Sequence, residues 1–75
     1  MNNARRKWIE KVKVRIEDIK TELEQILEEE QDYYDNIPEN LQSSMRASDS
    51  EDAIASLEEA VDGLDAAVSS LEEIM

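Results

Sequence analysis

Carboxylates are the most abundant side chains of this 75-residue chain that could do chemistry, since it holds 20 Asp and Glu but no histidine or cysteine. A catalytic nucleophile needs a base within reach, and a ferritin-like di-iron site needs Glu-x-x-His pairs. Asp49, Glu51 and Asp52 lack the spacing and central glycine of an EF-hand, so a solvated helix start explains them better. We therefore expect a non-enzymatic protein with no metal site and no cofactor.

The charges are distributed unevenly along the chain. Residues 1–20 carry seven basic and three acidic side chains, whereas residues 21–75 carry one basic residue, Arg46, and seventeen acidic ones, a net charge of −16. Glycine and proline occur once each, a composition typical of long helices or coiled coils. The asymmetry is the strongest functional signal in the sequence, and it favours a partner with a basic surface.

An acidic surface is predicted on the second half of the chain. Its members are Glu58, Glu59, Asp62, Asp65 and Glu72. Glu58, Asp62 and Asp65 step along a helix at four- and three-residue spacing, and Glu72 follows seven residues on. The near neighbours lie roughly 6 Å apart, near the separation of successive phosphates along a nucleic-acid strand. One interpretation is a solvated, solubilising face; the other is mimicry of a phosphate backbone that competes for the basic groove of a nucleic-acid-binding enzyme.

The basic N-terminal stretch with Trp8 could itself touch nucleic acid. Against this, the chain has a net charge of −12 and would be repelled by a polyanion. The alternative is that this stretch pairs with Glu72 and Glu73, in the same chain or in a second copy. We expect no direct binding of nucleic acid.

Two helices must position these charges. Apolar residues recur at steps of three and four from Ile9 to Ile37, and again from Ile54 to Met75. The patterns predict helices at about 4–35 and about 49–75, the second capped by Ser48 with Glu51 as a capping box. The predicted core and dimer residues are Ile16, Ile19, Leu23 and Ile26 in the first helix and Leu57, Val61, Leu64, Val68 and Leu71 in the second.

Residues 36–47 form the predicted connector of a single helical-hairpin domain, residues 1–75. Asn36 should end the first helix, and the segment after Pro38 should form a short helix. Four side chains are expected to close one end of the bundle: Tyr33, Ile37, Leu41 and Met45. The residues predicted to contact a partner here are Tyr33, Tyr34, Asp35, Asn36, Glu39 and Gln42. Glu30 is interpreted as a carboxylate near the wet end of the bundle, and Gly63 has no explanation in the pattern.

Helices of matched length joined by one connector predict an all-α fold, an antiparallel αα-hairpin. The apolar stripes are wider than one hairpin can bury, which favours a homodimer forming an antiparallel four-helix bundle. A single hairpin docked on a different protein is the alternative.

The connector carries a resemblance. Its matching residues are Glu28, Glu29, Glu30, Tyr34, Asp35, Asn36, Pro38, Glu39, Leu41, Gln42 and Ser44, followed by an alanine-rich acidic helix. This layout resembles small acidic hairpin proteins encoded by bacteriophages and mobile elements. The resemblance implies an origin rather than an activity, and that origin favours an inhibitor of a host or defence protein.

The function expected from these features is an acidic protein-binding module that occupies a basic, nucleic-acid-binding surface. The alternative is an assembly adaptor that binds a partner helix through its apolar stripe. The chain has no apolar run of about 18 residues and no secretory signal pattern, so we expect no membrane contact and a cytoplasmic location, in the host cell if the protein is phage-encoded.

Overall fold

The computed structural model describes residues 1–41 and 44–74. The chain forms helix α1 (Asn3–Asp35), a 3₁₀ turn (Glu39–Leu41) and helix α2 (Met45–Glu72). The two helices pack side by side in opposite directions, which confirms the predicted all-α helical hairpin. The molecule measures 59 × 15 × 12 Å with a radius of gyration of 17.3 Å. A compact chain of this length would have a radius of about 11 Å, so the hairpin is a rod.

Both ends of α1 are closed by asparagine side chains. Asn2 Oδ1 accepts a hydrogen bond from the Arg5 backbone N–H at 2.8 Å, which satisfies one of the free amides of the first turn. At the other end, Asn36 Nδ2 donates to the Asp32 carbonyl oxygen at 2.7 Å, and the Asn36 backbone N–H donates to the same oxygen at 3.1 Å. The expectation that Asn36 ends the first helix is confirmed.

The start of α2 corrects the prediction from the sequence. The helix begins at Met45 with Ser44 as its N-cap, and Ser44 Oγ accepts a hydrogen bond from the Ala47 backbone N–H at 3.3 Å. The Ser48 backbone N–H already donates to the Ser44 carbonyl at 3.1 Å, so Ser48 lies inside the helix. The predicted capping box of Ser48 and Glu51 is therefore wrong, and so is a helix start near Asp49.

The face that α1 turns toward α2 also differs from the predicted one. Ile16 and Leu23 are half-buried in the hairpin, but Ile19 and Ile26 are each 49% exposed. The row that lies beside them in the interface contains Lys20 and Leu27, both half-buried. The predicted residues of α2 do face α1, being buried or half-buried: Leu57, Val61, Leu64, Val68 and Leu71. Ile19 and Ile26, predicted as core or dimer residues, are therefore not part of the core of a single hairpin, and their role in a dimer stays a prediction.

The hairpin has almost no interior. Within the described ranges the buried residues are Ile37, Ala47, Ser50 and Val68. Ala47 is fully covered and Ser50 is 2% exposed, and both lie in the first turns of α2 where it crosses the end of α1. Small side chains at these two positions let the start of α2 pack closely against the end of α1, directly after the connector.

The connector does not form the expected lid. Ile37 is buried, but Tyr33 and Leu41 are each 45% exposed and Met45 is 78% exposed, so three of the four predicted lid residues are largely uncovered. Where a short helix was predicted after Pro38, the described residues form the 3₁₀ turn, in which the Leu41 backbone N–H donates to the Pro38 carbonyl at 2.8 Å. Gln42 and Ser43, which the prediction placed in that helix, lie outside the described residues.

Gly63 lies within α2, and a Cβ atom built on it would meet nothing within 4 Å. Packing inside the hairpin therefore does not require a glycine at this position. In the described ranges, neither helix has an apolar stretch long enough to cross a bilayer.

The two serines provide a test of where α2 begins. We expect Ser44→Ala to lower the free energy of unfolding by about 1 kcal/mol, since it removes the N-cap acceptor. Ser48→Ala is the matched control, and it should leave stability unchanged or raise it by a few tenths of a kcal/mol because alanine is the better helix former. Urea unfolding monitored by circular dichroism measures both. If Ser48→Ala lowered the free energy of unfolding and Ser44→Ala did not, the helix would start at Asp49, which would contradict the structure.

Candidate functional site

One long edge of the hairpin is held by polar contacts between α1 and α2, and we call these residues the polar edge: Lys13, Lys20 and Tyr34 of α1 with Glu72, Asp65 and Glu51 of α2. Lys20 Nζ lies 2.5 Å from Asp65 Oδ1, and Lys13 Nζ lies 3.6 Å from Glu72 Oε1. Tyr34 Oη donates a hydrogen bond to Glu51 Oε1 at 2.6 Å. The residue numbers of each pair add to 85, so all three contacts specify one antiparallel register.

The pKa values of two polar-edge groups move with these contacts. The hydrogen bond to Asp65 and the charge of that carboxylate raise the pKa of Lys20 above 10.5, against a smaller opposing effect of desolvation. The hydrogen bond that Tyr34 donates to Glu51 raises the pKa of the Tyr34 phenol above 10.0, and desolvation acts in the same direction. Both shifts favour the protonated form in the folded state, so their contribution to stability is present at neutral pH and is lost as the pH rises above about 10.

The polar edge changes the interpretation of the predicted acidic surface. Asp65 and Glu72 are paired with lysines of α1, whereas Glu58, Glu59 and Asp62 are exposed. The predicted series of phosphate-like carboxylates is therefore interrupted by internal ion pairs. Of the predicted acidic surface, Glu58, Glu59 and Asp62 remain exposed outside these ion pairs.

The hairpin divides the charge along its length more sharply than the sequence order does. The Lys20–Asp65 pair crosses it near the middle, so residues 20–65 form one half of the rod, which contains the turn. This acidic half has fifteen acidic and two basic side chains, a net charge of −13. The other half, residues 1–19 and 66–75, has five acidic and six basic side chains, a net charge of +1. Folding thus concentrates the net negative charge on one half of the rod.

The connector residues predicted to bind a partner fall into two groups. Three of them have structural contacts: Asn36 closes α1, Asp35 Oδ1 accepts from Gln31 Nε2 at 3.0 Å, and Tyr34 belongs to the polar edge. Tyr33 and Glu39 are exposed and available to a partner. Gln42, the sixth, lies outside the described residues.

A cavity of about 380 Å³ opens at the turn, and we call it the turn cavity. Its walls are Tyr33, Asn36, Ile37, Pro38, Leu41 and Arg46. Most of this lining is apolar, and Arg46 adds the one cationic side chain of residues 21–75. The sequence did not point to this recess, because it depends on the 3₁₀ turn folding back beside the last turn of α1.

Glu30 has a defined role in the structure. Its Oε1 accepts a hydrogen bond at 2.9 Å from Ser50 Oγ, and Ser50 is 2% exposed. The carboxylate therefore satisfies a buried hydroxyl of α2, which would otherwise be costly to bury. Glu30 is half-buried and joins the two helices, rather than being a solvated carboxylate.

No group of three or more His, Cys, Asp or Glu side chains within residues 1–41 and 44–74 is arranged to hold a metal ion. Comparison of the chain with protein-family models, with curated proteins and with solved structures finds no match in any of the three. The candidate sites are therefore defined by geometry alone. They are the acidic half, the turn cavity and the exposed apolar residues of α1.

The Tyr34–Glu51 hydrogen bond predicts a titration that can be observed directly. In Tyr33→Phe the one remaining tyrosine is Tyr34, so absorbance near 295 nm follows this phenol alone. We expect a pKa above 10.0, because Glu51 accepts the phenolic proton in a hydrogen bond.

The control is the double variant Tyr33→Phe with Glu51→Gln, which removes the negative charge and keeps the shape. Its titration should move to lower pH than that of Tyr33→Phe. Identical curves for the two variants would show that the contact is not formed in solution.

Proposed function

We propose that this protein is a non-enzymatic binding module whose acidic half docks on a basic surface of a partner protein. The observation that supports the proposal is the division of charge in the folded hairpin, −13 on one half and +1 on the other. A chain selected only for solubility would intersperse charges of both signs. Among the described residues, only a few carboxylates of the acidic half make ion pairs or side-chain hydrogen bonds within the chain.

The carboxylates left for a partner occupy the outer surfaces of both helices. Glu28 on α1 and Glu59 on α2 are exposed, and so are Asp52, Glu58 and Asp62. A cluster of like charges on a narrow rod produces a strong local potential, which attracts a basic surface and speeds association at low ionic strength. The binding would depend strongly on salt, because exposed charges are screened beyond about 10 Å at 0.1 M.

The partner class that best fits this surface is a nucleic-acid-binding protein. Its basic groove already accepts a polyanion, and a rod 15 × 12 Å in cross-section is narrow enough to lie in such a groove. Occupying the groove would exclude the nucleic acid, which makes the protein an inhibitor. The resemblance to hairpin proteins of bacteriophages and mobile elements supports a host or defence protein as the target, encountered in the cytoplasm.

An adaptor function is the second candidate, and one observation favours it. Ile19 and Ile26 of α1 are each 49% exposed and Tyr33 is 45% exposed, and they lie at seven-residue intervals on one side of the helix. A row of this kind can pack against a helix of another protein. The two functions differ in what abolishes binding, charge reversal in the first and a polar substitution in the apolar row in the second.

Charge reversal at matched positions tests the proposed function. Glu28→Lys with Glu59→Lys changes the acidic half, and Glu17→Lys with Glu73→Lys makes the same change in net charge on the other half. We expect wild type and the second variant to retain proteins from a bacterial lysate at about 0.05 M salt and to release them at about 0.5 M. The variant with Glu28→Lys and Glu59→Lys should retain at least about tenfold less protein. A protein that wild type retains, once purified and bound to DNA, should release the DNA when wild type is added.

Equal losses in the two charge variants would show that only net charge matters and would contradict a site on the acidic half. Retention that survives both high salt and charge reversal, and that is lost in Ile26→Lys, would support the adaptor function instead.

A further inference from the structure

The apolar row on α1 continues beyond the three exposed residues, and we call the full row the apolar face: Val12, Ile19, Ile26 and Tyr33. Val12 is half-buried, and the four residues follow one another at seven-residue intervals. Ile19 and Lys20 are consecutive, so they point about 100° apart around the helix axis. Because Lys20 is held in the polar edge by Asp65, the apolar face lies along the opposite edge of the hairpin, where Val12 is half-buried and Ile19, Ile26 and Tyr33 are exposed.

The accessible surface of the hairpin indicates how much of it needs a partner. The chain exposes 5720 Å². A compact monomer of 8.6 kDa would expose about 4,700 Å² by the scaling of surface with mass, so the excess is about 1,000 Å². A standard interface buries about 800 Å² on each partner. The excess is therefore of the size that one partner copy would cover.

The charges beside the apolar face favour a second α1 running in the opposite direction. Lys11 and Arg15 flank its N-terminal end, and Glu29 and Asp32 flank its C-terminal end, all of them exposed. If two copies of α1 pair antiparallel about a two-fold axis, each basic end meets the acidic end of the other copy. A parallel pair would place acid on acid and base on base, so the helix is complementary to itself only in the antiparallel arrangement.

The register follows from the apolar residues. Antiparallel pairing of Ile19 with Ile26 also pairs Val12 with Tyr33, since both sets of residue numbers add to 45. The same sum places Trp8 opposite Ile37, which forms a wall of the turn cavity. Trp8 is 69% exposed in the hairpin, and it is the most exposed large apolar side chain of α1.

We propose that a second copy of this chain covers the apolar face, in an antiparallel dimer in which Trp8 of each copy enters the turn cavity of the other. The cavity offers apolar walls at Ile37 and Leu41, and Arg46 at its rim supplies a cation for the indole face. Arg15 then lies beside Glu29 of the second copy, and Lys11 beside Asp32. This dimer rests on the apolar face and the turn cavity, and it does not depend on the proposed binding of a basic partner.

Sedimentation equilibrium tests whether a second copy of the chain covers the apolar face. We expect a mass of twice 8.6 kDa for wild type and for Val14→Lys, which changes an exposed apolar residue outside the apolar face. Ile26→Lys should be monomeric at the same concentration while it keeps its helical circular dichroism. A monomeric wild type at concentrations up to about 1 mM overturns the proposal and leaves the face to a different protein.

Cysteine cross-linking tests the orientation, and the chain has no native cysteine to interfere. A mixture of Ile19→Cys and Ile26→Cys should form a disulfide between the two variants under mild oxidation. Either variant alone should form little, because like residues are then offset by seven positions, about 10 Å along the axis and beyond the Cα separation that a disulfide spans. Efficient linking of Ile19→Cys to itself would show a parallel pair and overturn the antiparallel register.

Fluorescence of the single tryptophan tests the contact at the cavity. In the dimer, Trp8 emission should shift to shorter wavelength and resist quenching by acrylamide, and both effects should diminish as the dimer is diluted to monomer. Leu41→Glu, which places a charge in the cavity wall, should reverse the shift. A dimeric mass with the emission of a fully exposed indole would overturn this part of the proposal.

Discussion

The polar edge is the constraint on which the rest of this structure depends. Three contacts of one register hold α1 against α2, two of them ion pairs of lysine with an acid and one a hydrogen bond from Tyr34 to Glu51. The aliphatic stems of Lys13 and Lys20 lie over the seam while their ammonium groups reach the carboxylates at its rim, as long basic side chains commonly do. Exposed ion pairs contribute little to stability one by one. All three contacts fit a single register, in which Lys20 lies on the α2 side of α1 and Ile19 and Ile26 are exposed.

The turn end of the hairpin is held, in addition, by packing of small side chains between α1 and α2. Ala47 and Ser50 are buried where the first turns of α2 pack against the end of α1. Glu30 accepts the hydrogen bond that the buried Ser50 hydroxyl requires. Small residues at this crossing allow the 3₁₀ turn to fold back and shape the turn cavity. The consequence is a rod with very little interior, in which a regular row of exposed apolar residues, Ile19, Ile26 and Tyr33, lies on one side of α1.

The sequence predicted the helices well and their faces less well, for reasons that particular residues show. Periodicity located α1 because its apolar steps are unbroken by glycine or proline, and Asn36 with Pro38 marked its end. Periodicity pointed to the wrong side of the seam in α1, because the row of Ile19 and Ile26 is apolar in the sequence, whereas the row of Leu27 contains Lys13 and Lys20. The contact that marks the actual interface side joins Lys20 to Asp65, which are 45 positions apart in the sequence.

The start of α2 was misplaced because a serine at either Ser44 or Ser48 can cap a helix, and Glu51 favoured Ser48. Ala47 and Ser50 are small side chains, so the apolar pattern did not mark them as interface residues. Uneven charge was visible in the sequence, but its concentration on one half of the rod required the hairpin register.

The two proposals combine into one arrangement of charge. In an antiparallel dimer the basic end of each α1 lies beside the acidic end of the other, so part of the acidic half is neutralised along the contact. The carboxylates that stay uncompensated are those on the outer surfaces, such as Glu28 and Glu59, which face away from the apolar face.

A symmetric dimer would therefore carry two acidic surfaces related by its two-fold axis, near opposite ends of a rod about as long as the 59 Å hairpin. A partner that presents its basic surface twice, as a symmetric nucleic-acid-binding protein does, would gain from engaging both, since the second contact is made within the same complex. The apolar face would then serve to fix the distance between two acidic surfaces, which a monomeric hairpin could not do.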